Sequence, residues 1–142
     1  MQINRSILVP YSDAQMFDVV ADIEQYSDFL HWCDETTVLA EEDDQVDAQI
    51  KVSFKKLKLS FTTRNINAAP GSIQMQLLSG PFSRLQGTWR FERLAEKACK
   101  VSLSLQFEFE NRVTQAMFSG LFEQVIVNQI SAFEKRAKQL YG

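Results

Sequence analysis

The sequence predicts an α+β domain in which a curved antiparallel sheet closes on one long C-terminal helix. Three observations carry that prediction. Residues 48–110 alternate apolar and polar side chains over several runs, which is the period of strands. Residues 112–141 repeat their apolar residues every three or four positions, which is the period of a helix. No linker, repeat or low-complexity tract interrupts the chain, so residues 1–142 read as one domain.

The first element is "QINRSILV", which alternates loosely and ends at Pro10, a residue that cannot continue a central strand. "YSDAQMFDVVADI" follows with a helix start. Ser12 and Gln15 have capping-box spacing, and Tyr11 and Met16 stand where a hydrophobic staple would. Met16 with Val20, and Phe17 with Ala21, give the helix one apolar stripe. A second short helix is predicted around "EQYSDFL", followed by an irregular "HWCDE".

The middle of the chain reads as an antiparallel meander. Ala48, Ile50, Val52 and Phe54 point one way, against Gln49, Lys51, Ser53 and Lys55. Leu57, Leu59 and Phe61 repeat the pattern against Lys58, Ser60, Thr62 and Arg64. Ile73, Met75 and Leu77 oppose Gln74 and Gln76, and "GPF" at 80–82 signals a turn. Leu85, Trp89 and Phe91 oppose Arg84, Gln86, Thr88 and Arg90. The clearest strand sets Cys99, Val101, Leu103, Leu105, Phe107 and Phe109 against Lys100, Ser102, Ser104, Gln106, Glu108 and Glu110. One sheet face is therefore apolar and the other wet.

The closing helix carries Phe118, Phe122, Ile126, Ile130, Phe133, Ala137 and Leu140, widened by Met117, Leu121 and Val125. At about 28 residues it would run about 42 Å, enough to cross a whole sheet. Gly120 is its weak point.

Net charge is −3, but the distribution matters more. Residues 1–47 hold twelve acids and one base, whereas residues 48–91 hold seven bases and no acid. Alternation puts Lys51, Lys55, Lys58, Arg64 and Arg84 on the outward face. Such a face suits phosphate, whether of nucleic acid or of an anionic membrane. It can equally neutralise the acidic segment beside it. No aromatic residues interleave with these bases, so base stacking is not indicated.

The stretch "YSDFLHWCDE" holds the only histidine, His31, with Trp32 and Cys33. A Cys-His nucleophile needs a thiolate, and a productive pair usually comes from separate elements with a third orienting group, whereas His31 and Cys33 stand two residues apart in one segment. Packing of Phe29, Leu30, Trp32 and Cys33 against the sheet, with His31 toward solvent, is the expectation. Cys33 and Cys99 are too far apart for a CxxC motif, and with one histidine they make no standard zinc site unaided. No catalytic residue and no metal ligand is assigned. The N-terminus lacks an apolar signal core, and no apolar run approaches about 20 residues. A cytoplasmic protein with reduced thiols is expected.

Eleven phenylalanines must fill a core or line a cavity. A curved sheet and one helix leave space between them. Phe29, Trp32, Phe54, Phe61, Met75, Trp89, Phe107, Met117, Leu121 and Phe122 are the expected lining residues. An apolar molecule gains about 25 cal/mol per Å² removed from water, so a lipid tail needs no special motif.

The element order is the helix-grip layout of START-like and polyketide-cyclase-like domains: about six to seven strands, two short helices after the first strand, and the long helix last. "MFDVVADIEQYSDFLHWC", "GPFSRLQGTWRF", "FEFENRV" and "AFEKRAKQLYG" resemble the RatA and coenzyme Q-binding branch of that superfamily, nearly end to end. The resemblance implies two activities. Mitochondrial members bind ubiquinone in support of respiration. Some bacterial members are ribosome association toxins that bind the large subunit and block its joining to the small one. The first is the leading expectation: a non-enzymatic ubiquinone binder that needs no cofactor and is compatible with peripheral contact at the inner membrane. The second is the alternative, with the ribosomal large subunit as partner. An enzyme of the cyclase or aromatase kind rests on the superfamily label alone. The branch typically reads Phe-Leu-Pro-Trp-Cys, and here His31 replaces the proline, which removes a fixed φ angle.

Overall fold

The computed structural model describes residues 1–54 and 56–142; the expectations on Lys55 and on the Phe54 side chain lie outside the described residues. The strands are β1 (Gln2–Val9), β2 (Cys33–Glu42), β3 (Gln45–Phe54), β4 (Leu57–Ala68), β5 (Ser72–Ser79), β6 (Phe82–Ala95) and β7 (Ala98–Phe109). The helices are α1 (Asp13–Ala21), α2 (Tyr26–Phe29), entered through a 3-10 turn at Ile23–Gln25, and α3 (Arg112–Tyr141). The seven strands form one antiparallel sheet in the order β1-β7-β6-β5-β4-β3-β2.

Local chemistry sets the boundaries. Ser12 Oγ accepts from the Gln15 amide at 3.1 Å, and Gln15 Oε1 accepts from the Ser12 amide at 3.0 Å, so the capping box starts α1 as expected. Asn111 Oδ1 accepts from the Thr114 amide at 2.8 Å and starts α3. Gly80, at φ +148, turns β5 into β6, where a Cβ would meet Phe61 Cβ at 2.7 Å.

Three expectations change. "HWCDE" is not irregular throughout: Cys33 opens β2, and the acidic stretch after it is the sheet's edge strand. Its exposed carboxylates suppress the alternation that would have marked it, and charge on an edge discourages pairing with another chain. Thr62, expected among the outward polar residues, is 7% exposed beside the register shift between β4 and β5. Met117 and Leu140, expected on the buried stripe, are half-exposed. The fully buried face of α3 runs from Leu121 to Ala137, and before it Phe118 packs half-buried against the core.

The aromatic load divides into two groups. Phe61, Phe82, Phe107, Phe109 and Phe122 pack edge-on and stacked at 4.8–6.5 Å. Trp89, Phe91, Phe17, Phe133, Tyr26 and Phe29 form the second group, with Phe133 fully buried at its centre. Burying a side chain of that size contributes about 1.5–3 kcal/mol. No helix is long and apolar enough to cross a membrane among the described residues.

Candidate functional site

Between the sheet's concave face and α3 lies an apolar cavity that touches both aromatic groups. Its walls come from α1 and the 3-10 turn (Val20, Ile23), α2 (Tyr26), the sheet, and α3 (Phe122, Val125, Ile126, Gln129). Its volume is about 70 Å³ on the measure by which one water needs about 10–15 Å³. Drug-sized sites run to about 300–1,000 Å³. The space therefore admits a small apolar body, and anything longer must displace α3 or extend through the mouth.

The cavity gathers only part of the expected lining. Trp32, Phe61, Met75, Trp89 and Phe122 stand on its wall. Phe107 and Leu121 are buried off the wall in the core, and Phe29 packs against Tyr26, Phe133 and Arg136 outside it. Met117 is exposed, one turn before α3 seats, and is corrected from the lining set.

Gly87 helps to open this space. In register it lies between Met75 and Leu105, whose side chains both reach the cavity, and it contributes no side chain of its own.

Polar groups on the wall are few. Thr63 Oγ1 donates to Asn65 Oδ1 at 3.1 Å, and the Tyr26 hydroxyl donates to the Val20 carbonyl. Burial, then the nearby Cys33 and Asp22, push the Tyr26 phenol well above its ordinary range. Trp32 is 6% exposed, and its indole Nε1–H is buried with no partner among the described residues. Asn65 and Gln129 were missed from sequence. Asn65 continues the inward parity of Leu57, Leu59, Phe61 and Thr63. Gln129 lies three residues after Ile126 and four before Phe133, a polar residue on the buried stripe.

"YSDFLHWCDE" resolves into a turn with two sides. The Cys33 amide donates to the Leu30 carbonyl at 2.9 Å, and the Ser53 amide donates to the Trp32 carbonyl at 2.9 Å, pinning the turn to β3. Leu30, Trp32 and Cys33 face inward, and His31 is exposed. Burial, then Asp34, push the Cys33 thiol up to about 11, and burial pushes Cys99 to about 11 as well. Both stay protonated at neutral pH, the wrong state for a nucleophile. Among the described residues no group of three His, Cys, Asp or Glu side chains gathers to hold a metal.

The outward basic residues do not form a bare cationic face. Lys51 pairs with Glu35 at 3.2 Å, and Arg64 with Asp47 at 2.9 Å. Arg84 donates to Gln106 at 3.1 Å and stands in register with Glu108, as Lys100 does with Glu92. Lys58 is exposed. Two bases of the tract, Lys51 and Arg64, are thus answered by carboxylates on neighbouring strands.

A curved antiparallel sheet folded on one long helix over an apolar cavity defines a helix-grip domain. The chain belongs to the polyketide cyclase / dehydrase and lipid transport family, whose model matches residues 9–134. Its similarity to the ribosome association toxin RatA of Pseudomonas aeruginosa is 42% identity over 140 residues, covering 99% of this chain and 97% of that protein. Similarity to the mitochondrial coenzyme Q-binding protein COQ10 homolog B of Xenopus laevis is 27%, covering all of this chain and 60% of that one. The ZhuI aromatase/cyclase of Streptomyces sp. R1128 shares the fold, with a TM-score of 0.88 at 16% identity, over 98% of this chain and 94% of that one.

Proposed function

We propose that this protein acts on the ribosome, binding the large subunit and hindering its association with the small one. The observation that carries this reading is the end-to-end 42% identity to a relative named for ribosome association, against 27% to the coenzyme Q-binding relative. The order of the two readings is thereby reversed from the sequence expectation, which put ubiquinone first. The small volume of the cavity favours the same order. Sucrose-gradient profiles after overexpression test it: free subunits should rise and joined ribosomes fall. An unchanged profile would sink the reading.

A second reading is favoured by the cavity itself, an apolar space with the Trp32 indole, unpartnered among the described residues, on its wall. A hydrophobic molecule with one hydrogen-bond acceptor, such as the ring of a ubiquinone, suits such a site. Its isoprenoid tail would leave through the mouth or move α3. Titration with a short-chain ubiquinone should quench tryptophan fluorescence saturably. No quenching, together with no quinone carried through purification, would remove this reading. Both readings are compatible with a cytoplasmic protein, and quinone delivery adds peripheral membrane contact.

A further inference from the structure

We infer that the groove between the His31 turn and the C-terminal half of α3 seats the sugar–phosphate backbone of RNA. The inference rests on the ribosome reading and names the surface that would carry it. The groove has a volume of about 270 Å³, and its wall includes His31, Asn128, Ser131, Lys135, Arg136 and Gln139. No carboxylate lines it.

Two cationic side chains and an imidazole thus face one concavity, with hydroxyl and amide groups between them. That mixture matches an RNA backbone, in which phosphate oxygens take charge-assisted hydrogen bonds and the 2′-hydroxyl takes neutral ones. Arg136 is held in place: its guanidinium lies 5.2 Å from the centroid of the Phe29 ring. A guanidinium stacked on an aromatic face keeps its edge N–H groups available and loses little freedom on binding. On its far side Arg136 borders a second groove that contains Asp18 and Asp22, so the cationic surface ends at this residue.

Lys51 and Arg64 are taken up by Glu35 and Asp47, whereas Lys135 has no ion-pair partner among the described residues. Lys58 on the sheet is also exposed and without an ion pair among the described residues, but the groove gathers two cationic side chains in one concavity. A membrane surface suits the groove less well. Interfacial binding needs exposed apolar side chains to enter the lipid. The groove's apolar members, Phe29 and Ala132, are half-buried. His31, on the rim, adds an imidazole N–H donor to the groove's polar groups.

Sedimentation of the purified chain with isolated large subunits at graded salt tests the inference. Lys135→Gln should weaken binding about fivefold to tenfold and lower the log–log salt slope by about one, with Lys135→Arg restoring both. Lys58→Gln, on the sheet side, should stay within about twofold of the unmodified chain. Matching thermal melts exclude misfolding, and Arg136→Lys supplies a second groove variant that keeps the charge while losing the planar fork. If the unmodified chain binds and Lys135→Gln binds with the same affinity and slope, the groove is wrong and the ribosome reading stands. If the unmodified chain does not sediment with subunits, the reading fails and the inference falls with it. Lys135-dependent binding to phosphatidylglycerol vesicles, without any effect on subunit binding, would also overturn it.

Discussion

The Arg64 guanidinium grips the Asp47 carboxylate across β3 and β4 through two hydrogen bonds, at 2.9 and 3.0 Å. The bonds from Arg64, more than its charge, hold the Asp47 carboxyl below its ordinary range against an opposing effect of burial. A carboxyl whose folded value is lowered contributes stability above the unfolded value. That contribution is lost as pH falls through the folded value. Asp47→Asn should therefore lower the urea midpoint at pH 7, and the difference from the unmodified chain should vanish in acid well below the carboxylate range. A difference that persists at low pH would assign the effect to packing instead.

Tyr26 joins α2 to α1 through its hydroxyl, which meets the Val20 carbonyl in the last turn of α1. The last four carbonyls of a helix have no partner within it, and this one is buried. Tyr26→Phe keeps the ring contacts with Phe29 and Phe133 and removes only that bond. The expected loss is about 1–2 kcal/mol in urea unfolding. A variant as stable as the unmodified chain would show that water replaces the hydroxyl.

Local patterns are legible in the sequence where one side chain after another reports the same face. The alternation from Ala48 to Phe109, the Ser12–Gln15 box and the stripe from Leu121 to Ala137 all depend on neighbours in the chain, and all appear in the fold. The edge strand β2 was hidden because it buries little beyond Cys33. With it went the pairing of Lys51 with Glu35, since a partner cannot be named until its strand is placed. The cavity was legible only as a composition of apolar residues. Whether Phe107 or Trp89 reaches it depends on the gap between sheet and helix, a distance no local pattern carries.

Gly120 sits in the exposed part of α3 one residue before its buried face begins, and a Cβ there would meet nothing within 4 Å. Glycine in a helix interior is less favourable than alanine by about 1 kcal/mol, because it gives up more backbone freedom on folding. Gly120→Ala should raise stability by about 0.5–1 kcal/mol in the same unfolding assay. Destabilisation would mean that α3 needs a bend at this point.

Gly87 offers the sharpest separation of the two functional readings. A Cβ there would stand 2.7 Å from Leu105 Cδ1, 2.9 Å from Met75 Cε and 3.1 Å from the Ser104 carbonyl oxygen. The two side-chain ends can yield, and the open space beside both is the cavity that they line. The backbone oxygen cannot yield as easily, so Gly87→Ala should cost about 1–3 kcal/mol through overpacking. It should also shrink the cavity and abolish quenching by a short-chain ubiquinone. The groove beside His31 lies on other elements, so sedimentation with large subunits should be unchanged in the folded variant. Quenching that survives Gly87→Ala would place the quinone elsewhere on the protein. Loss of subunit binding in a variant that melts normally would show that the cavity and the ribosome-binding surface are coupled.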